Sequence, residues 1–125
     1  MSTVDGAADI DGAAGVTVYK LAEMTRGWFV GAFTPAAMHL DAAEFAIQHF
    51  AAGEIEAEHH HRLGTEVTVI VSGRARMCGR ELAAGDIVVL APGTATAFEA
   101  IEDTITAVVK TPSSPGDKYP GRPSS

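Results

Sequence analysis

The chain contains one cysteine, Cys78, among 125 residues. That excludes an internal disulfide framework. Next to Gly79, Cys78 reads as a small residue of a hairpin turn rather than as a reactive thiol. No apolar run approaches the length of a membrane span. The N-terminus lacks the basic-then-apolar pattern of a secretory signal, so the expected location is the cytoplasm. Basic residues are few: nine Lys and Arg stand against sixteen Asp and Glu, a net charge of −7. They are scattered, which argues against nucleic-acid binding, since phosphate neutralisation needs clustered cations. There is no glycine-rich phosphate loop, no dinucleotide fingerprint, no Ser-His-Asp arrangement and no internal repeat. Helix signals are also scarce. Only the Ala-rich stretch from Pro35 to Ala43 suggests a turn of helix.

What is present is β-structure. The hydrophobic fraction of 46% and charged fraction of 20% are ordinary for one soluble domain. Strand runs are expected at Val16–Tyr19, Trp28–Val30, Phe45–Phe50, Val67–Val71, Arg74–Cys78, Glu81–Leu82, Ile87–Leu90, Thr94–Ile101 and Thr104–Lys110. Turn signals separate them at Gly53, Ser72-Gly73, Gly79, Gly85-Asp86, Pro92-Gly93 and Glu102-Asp103. Many short strands at regular spacing predict an all-β sandwich or barrel. Residues 1–15 are small and acidic and predict a flexible segment. Residues 111–125 carry four of the six prolines and predict a loose tail or a strap lying over a surface.

The chemistry-bearing stretch is His59-His60-His61-Arg62-Leu63-Gly64-Thr65-Glu66. In an extended chain alternate side chains share a face, so His59 and His61 point one way and His60 the other. Their backbones then stand roughly 7 Å apart, a separation from which two imidazoles can converge on one ion. Gly64 permits a turn, and Glu66 on the next strand can bring a carboxylate back to the pair. Two imidazoles and a carboxylate suit Fe, Zn, Mn, Co or Ni and leave coordination positions open. The alternative is a polar surface turn.

The spacing continues outward: Gly53, five residues, His59, one residue, His61, four residues, Glu66, six residues, Gly73. It resembles the first motif of the cupins, and Gly85-Asp86-Ile87-Val88-Val89-Leu90-Ala91-Pro92-Gly93 resembles the start of their second motif. The two cover about a third of the chain. Arg26-Gly27-Trp28-Phe29-Val30-Gly31, Glu102-Asp103-Thr104, Val109–Ser113 and Gly116–Tyr119 are similar to segments of small bacterial single-domain cupins. The resemblance implies a cupin double-stranded β-helix, or jelly-roll barrel, over residues 16–110, with disordered or docked tails. It implies one divalent metal ion, Fe, Zn, Mn or Ni, on His59, His61 and Glu66. It also implies pairing into a homodimer through the sheets. The family's last histidine ligand is replaced here by Thr96, as it often is by a small polar residue in such cupins.

Other candidates follow from alternation. If Phe50 faces the interior, so do Ala46 and Gln48, which makes Gln48 a substrate contact or a weak oxygen ligand. By parity from Glu66, Thr68 and Ile70 face inward, and Arg74 and Arg76 could follow. An inward Arg76 would bind a carboxylate or phosphate, although a solvated position near the hairpin is the plainer reading. Phe98 is grouped with Gln48 and Arg76 as a substrate contact, and Thr96 with Glu66 as a catalytic group. The overall expectation is a metal-dependent enzyme acting on a small polar metabolite. An iron centre would imply oxygenase-type chemistry, and zinc, manganese or nickel would imply isomerase or lyase chemistry. The alternatives are a non-catalytic small-ligand-binding cupin, and a metal-free acid–base isomerase-like cupin.

Overall fold

The structure, a computed structural model, describes residues 14–124 and the backbone of Ala7–Ala8. The expectation of a flexible segment over residues 1–15 falls almost wholly outside the described residues. Two strands open the chain, β1 (Ala7–Ala8) and β2 (Val18–Tyr19), paired antiparallel. Then come two 3₁₀ turns at Leu21–Glu23 and Thr25–Gly27. The barrel strands are β3 (Trp28–Gly31), β4 (Met38–His39), β5 (Glu44–Phe50), β6 (Ile55–His60), β7 (Thr65–Ser72) and β8 (Arg74–Met77). They continue with β9 (Arg80–Ala83), β10 (Ile87–Leu90), β11 (Thr96–Ala100) and β12 (Thr104–Thr111), and β13 (Tyr119–Pro120) ends the fold.

Two sheets face each other. One has the order β10-β7-β12-β5-β3-β4 and the other β13-β6-β11-β8-β9. Burial alternates along the strands with the period of two that a half-buried sheet requires, most regularly in β12, where Thr104, Thr106, Val108 and Lys110 are buried. The hydrophobic core gathers Ile70 and Leu90 from the first sheet with Ala75, Met77, Leu82, Phe98 and Ala100 from the second. Along β12 the inward positions change character. Thr106 is level with Ile70, Val108 with Thr68, and Lys110 with Glu66. One end of the barrel interior is therefore apolar and closed, and the other is polar. No helix among the described residues is long and apolar enough to cross a membrane.

Two expectations are corrected. Pro35–Ala43 is not helical. Its amides pair outward with β3 instead of four residues back: the Ala37 N–H donates to the Phe29 carbonyl at 2.7 Å and the Leu40 N–H to that of Gly31 at 3.1 Å. Arg74 and Arg76 do not face inward. Ile105 is opposite Ser72 and Thr106 opposite Ile70, so Val71 is an extra residue, a bulge that reverses the parity of all that follows. Ala75 and Met77 fill the inward positions, and Arg76 pairs on the outside with Glu99 at 2.7 Å.

Gly73 makes the crossing from β7 to β8 with φ +88°. A Cβ there would lie 2.2 Å from the Asp103 carbonyl oxygen and 2.6 Å from the Thr104 hydroxyl. Gly73→Ala is expected to destabilise the fold by on the order of 2 kcal/mol, read from the denaturation midpoint. Gly53, at φ +90°, has nothing within 4 Å of such a Cβ. Gly53→Ala should therefore show only the smaller backbone penalty of about 1 kcal/mol. Equal losses at the two positions would contradict the packing argument.

Candidate functional site

A cavity of roughly 380 Å³ opens at the polar end of the barrel. His59, His61, Glu66, Gln48, Thr96 and Phe98 all line it, and Arg76 does not. Phe50 and Phe98 meet at its floor, with ring centres 4.5 Å apart. The candidate residues reach the cavity from several strands. His59, the last but one residue of β6, lies opposite Thr96 of β11, with a register shift between Thr96 and Phe98. His61 follows in the turn, Glu66 is the second residue of β7, and Gln48 lies on β5 opposite Thr106 of β12.

His61 is buried and holds its ring by both nitrogens. Nδ1 bonds the backbone carbonyl of Asp117, and Nε2 lies 3.2 Å from Glu66 Oε1. A carbonyl only accepts, so Nδ1 carries a hydrogen. His59 has the same arrangement, with Nδ1 on the Ala57 carbonyl at 3.0 Å. Both histidines thus turn Nε2 away from the backbone, the tautomer that a metal-binding imidazole needs. At His61 this has a consequence. A neutral ring would set the Nε2 lone pair against a carboxylate oxygen, so a positive species must lie between them. The bond to Glu66, aided by the Asp117 carbonyl, raises the His61 pKa above its ordinary value against the opposing effects of burial and Lys110. Burial opposes ionisation of Glu66, but the bonds from His61 and from the Thr68 hydroxyl, at 3.2 Å, outweigh it and hold the carboxyl below the usual range.

The donor set can be tested against a divalent ion. Two N or O ligands about 2.1 Å from one ion, at angles between octahedral and tetrahedral, stand roughly 3.0–3.4 Å apart. The His61 Nε2 to Glu66 Oε1 distance of 3.2 Å falls within that range. His59 faces the same cavity, its ring centre 5.3 Å from that of His61. Among the described residues no three His, Cys, Asp or Glu side chains already close around a point. The chemistry, tautomers and one ligand-to-ligand distance fit; the third donor stands back.

Thr96 is placed differently from a catalytic group. Its hydroxyl donates to the Ala97 carbonyl at 2.7 Å and accepts from the Cys78 N–H at 2.9 Å, so its one hydrogen is committed to backbone. Gln48 donates from Nε2 to the Arg26 carbonyl at 2.9 Å. Cys78 itself is exposed in the hairpin turn between β8 and β9, where it and Gly79 have φ of 54° and 68°.

Three further features surround the cavity. The first is the buried pair of Lys110 and Glu44, 3.3 Å apart, with the Ser113 hydroxyl donating to Glu44 at 2.9 Å. The second is Asp117. Its carboxylate accepts from the amides of Arg62, Leu63 and Gly64, at 2.8, 3.1 and 2.9 Å. Burial would raise its pKa, but these amides and Lys110 hold it below the ordinary value. The third is the docked tail. Tyr119 lies between the His60 ring, 5.5 Å away, and the Arg62 guanidinium, 3.8 Å from its ring centre. The residues from Ser114 to Lys118 form one wall of the cavity. The tail is a strap, and its backbone orients His61. The alternation of β12 carries a signal for Lys110, since its parity matches Thr104 and Thr106. The strap is one of the two readings that the proline-rich tail allows, and nothing local in the sequence marks the Asp117 carboxylate as the acceptor of the Arg62, Leu63 and Gly64 amides.

No protein-family model and no curated protein matches the chain. Solved structures do. An uncharacterised conserved protein with a double-stranded β-helix domain from Klebsiella pneumoniae is 24% identical over 66% of this chain and 73% of its own, with a TM-score of 0.61. A cupin superfamily protein from Desulfitobacterium hafniense is 17% identical over 57% of this chain and 68% of its own, with a TM-score of 0.54. Oxalate decarboxylase from Bacillus subtilis is 18% identical over 64% of this chain but only 24% of its own, with a TM-score of 0.57.

Proposed function

We propose, for a chain whose double-stranded β-helix is that of the cupin superfamily, that the barrel mouth is a divalent-metal centre where a small polar metabolite is bound and converted. The observation that carries this reading is the facing pair of acceptors. His61 Nε2 and Glu66 Oε1 stand 3.2 Å apart, with the His61 Nδ1 hydrogen committed to the strap. Such a pair holds a cation, and His59 is the third donor on the same wall. When bound, the ion supplies oxygen chemistry if it is iron, or Lewis-acid chemistry if it is zinc, manganese or nickel. The chain's own residues do the rest. The Asp117 carbonyl fixes the His61 ring. Thr68 orients Glu66. Phe50 and Phe98 floor the cavity and exclude water from its inner end. A +2 ion less one carboxylate leaves local positive charge, which favours an anionic or chelating ligand despite the acidic chain. A cupin barrel is compatible with catalysis, as the similarity to an oxalate decarboxylase indicates.

The test is to strip the protein with a chelator and add Fe(II), Zn(II), Mn(II) or Ni(II) singly. One of them should raise Tm by several degrees, since a ligand that binds only the folded state stabilises it by about 2.7 kcal/mol at a hundred times its Kd. No change with any ion would contradict the metal centre. The same His61–Glu66 pair supports a second reading, metal-free acid–base catalysis with a shared proton. Turnover that survives chelation selects it.

We also propose a homodimer. Val71 of β7 and Ile87 and Val89 of β10 are 51–64% exposed on the outer face of the larger sheet, and β10 is its edge. An apolar edge of this kind calls for a cover. Light scattering should give twice the 13.0 kDa of the chain, and Val89→Lys should shift it to a monomer; a wild-type monomer at micromolar concentration contradicts the proposal.

A further inference from the structure

Thr106 lines the cavity and is 2% exposed, and its hydroxyl has no hydrogen-bond partner among the described residues. A buried hydroxyl left unpaired is costly, and in a cavity wall it points to a missing partner. Its surroundings restrict what that partner is. Thr106 lies directly across the ladder from Gln48, and both side chains line the cavity. Gln48 gives one of its two amide hydrogens to the Arg26 carbonyl, which leaves its second hydrogen and its oxygen for a ligand. A threonine hydroxyl donates or accepts, and an amide oxygen only accepts. The aromatic pair Phe50 and Phe98 lines the same cavity. An acceptor, a donor–acceptor and an apolar wall together suit a hydroxyl group on a carbon skeleton, which can donate to one oxygen and accept from the other.

From this we infer that the ligand is a polyhydroxylated small molecule, with Thr106 and Gln48 reading a hydroxyl at the end remote from His59, His61 and Glu66. Thr106 stands four residues along β12 from Lys110, the residue level with Glu66. That is about 13 Å of strand. A ligand that meets both ends is extended, and a cavity of roughly 380 Å³ takes a small molecule. The inference rests on the cavity being a ligand site, and it names the class of ligand.

The test is isothermal titration of the protein with gluconate, and with hexanoate as the chain of equal length without hydroxyls. Wild type should bind gluconate at least tenfold more tightly than hexanoate. Thr106→Val should lose about tenfold of that preference, the worth of one hydrogen bond left unmade. Thr106→Ser, which keeps the hydroxyl, should restore it. The ligand-free valine variant should melt no lower than wild type, because it removes an unpaired polar atom. Metal uptake should be the same in all three proteins, which separates this result from the fate of the metal centre. Equal binding of the two probes with metal uptake intact overturns the hydroxyl inference alone. A valine variant that discriminates as wild type does also overturns it, and assigns the Thr106 hydroxyl to an ordered water. Failure of wild type to bind either probe overturns the ligand-site reading and the inference with it.

Discussion

Replacing His59 and His61 together with alanine is expected to weaken divalent-metal binding by more than about 100-fold and to abolish turnover, while the barrel stays folded. The metal effect follows from the donor count: one carboxylate remains, and even partners behind the ligands are worth about 10- to 100-fold in affinity. The fold survives because neither histidine belongs to the core cluster of Ile70, Ala75, Met77, Leu82, Leu90, Phe98 and Ala100. Circular dichroism should therefore match wild type. A proton and an ion compete for the His61–Glu66 pair, so metal uptake should also weaken as pH falls through the raised His61 value. Metal content and turnover unchanged in the double variant would contradict the site.

Asp117→Ala is expected to lower stability by about 3 kcal/mol, on the order of 10 °C in Tm. The carboxylate receives the Arg62, Leu63 and Gly64 amides in the turn between His61 and Glu66. Hydrogen bonds to a charged acceptor are the stronger kind, and three backbone donors, that of Gly64 buried and the other two partly buried, lose one partner. The loss has a pH signature. The folded pKa of Asp117 is depressed, so its contribution is complete above the unfolded value of about 3.9 and disappears as pH falls through the folded value. The Tm gap between wild type and variant should be constant near neutrality and should narrow below about pH 4. A gap independent of pH down to the lowest value at which wild type is folded would assign the loss to packing instead. The variant should also loosen His61, whose Nδ1 partner is the Asp117 carbonyl. Nitrogen-15 NMR should then show loss of the single Nδ1–H tautomer.

Most of the barrel was legible because its strands announce themselves locally. Val67–Val71 is a β-branched run that stops at Ser72-Gly73, Thr104–Lys110 follows the turn at Glu102-Asp103, and both are strands in the structure. The histidine stretch was legible because its spacing follows the pleat. What failed was what depends on pairing between distant strands. One bulged residue, Val71, reverses the faces of Arg74 and Arg76, and no local pattern marks it. The Ala-rich stretch before β5 has helical composition, yet its amides find partners on β3, a tertiary override of propensity. Lys110 gains its position only when three strands set it level with both Glu44 and Glu66. Asp117 is 53 residues from the Gly64 amide it accepts, and a proline-rich tail reads alike whether it docks or not.

The central claim is that His59, His61 and Glu66 hold a metal ion. Elemental analysis of the untagged protein, purified without chelator or added metal, tests it most directly. The account predicts close to one equivalent of iron, zinc, manganese or nickel per chain, absent from the His59→Ala/His61→Ala variant. Wild type that carries no metal and takes up none of the four on reconstitution would contradict it, and would leave His61 and Glu66 as a pair that shares a proton.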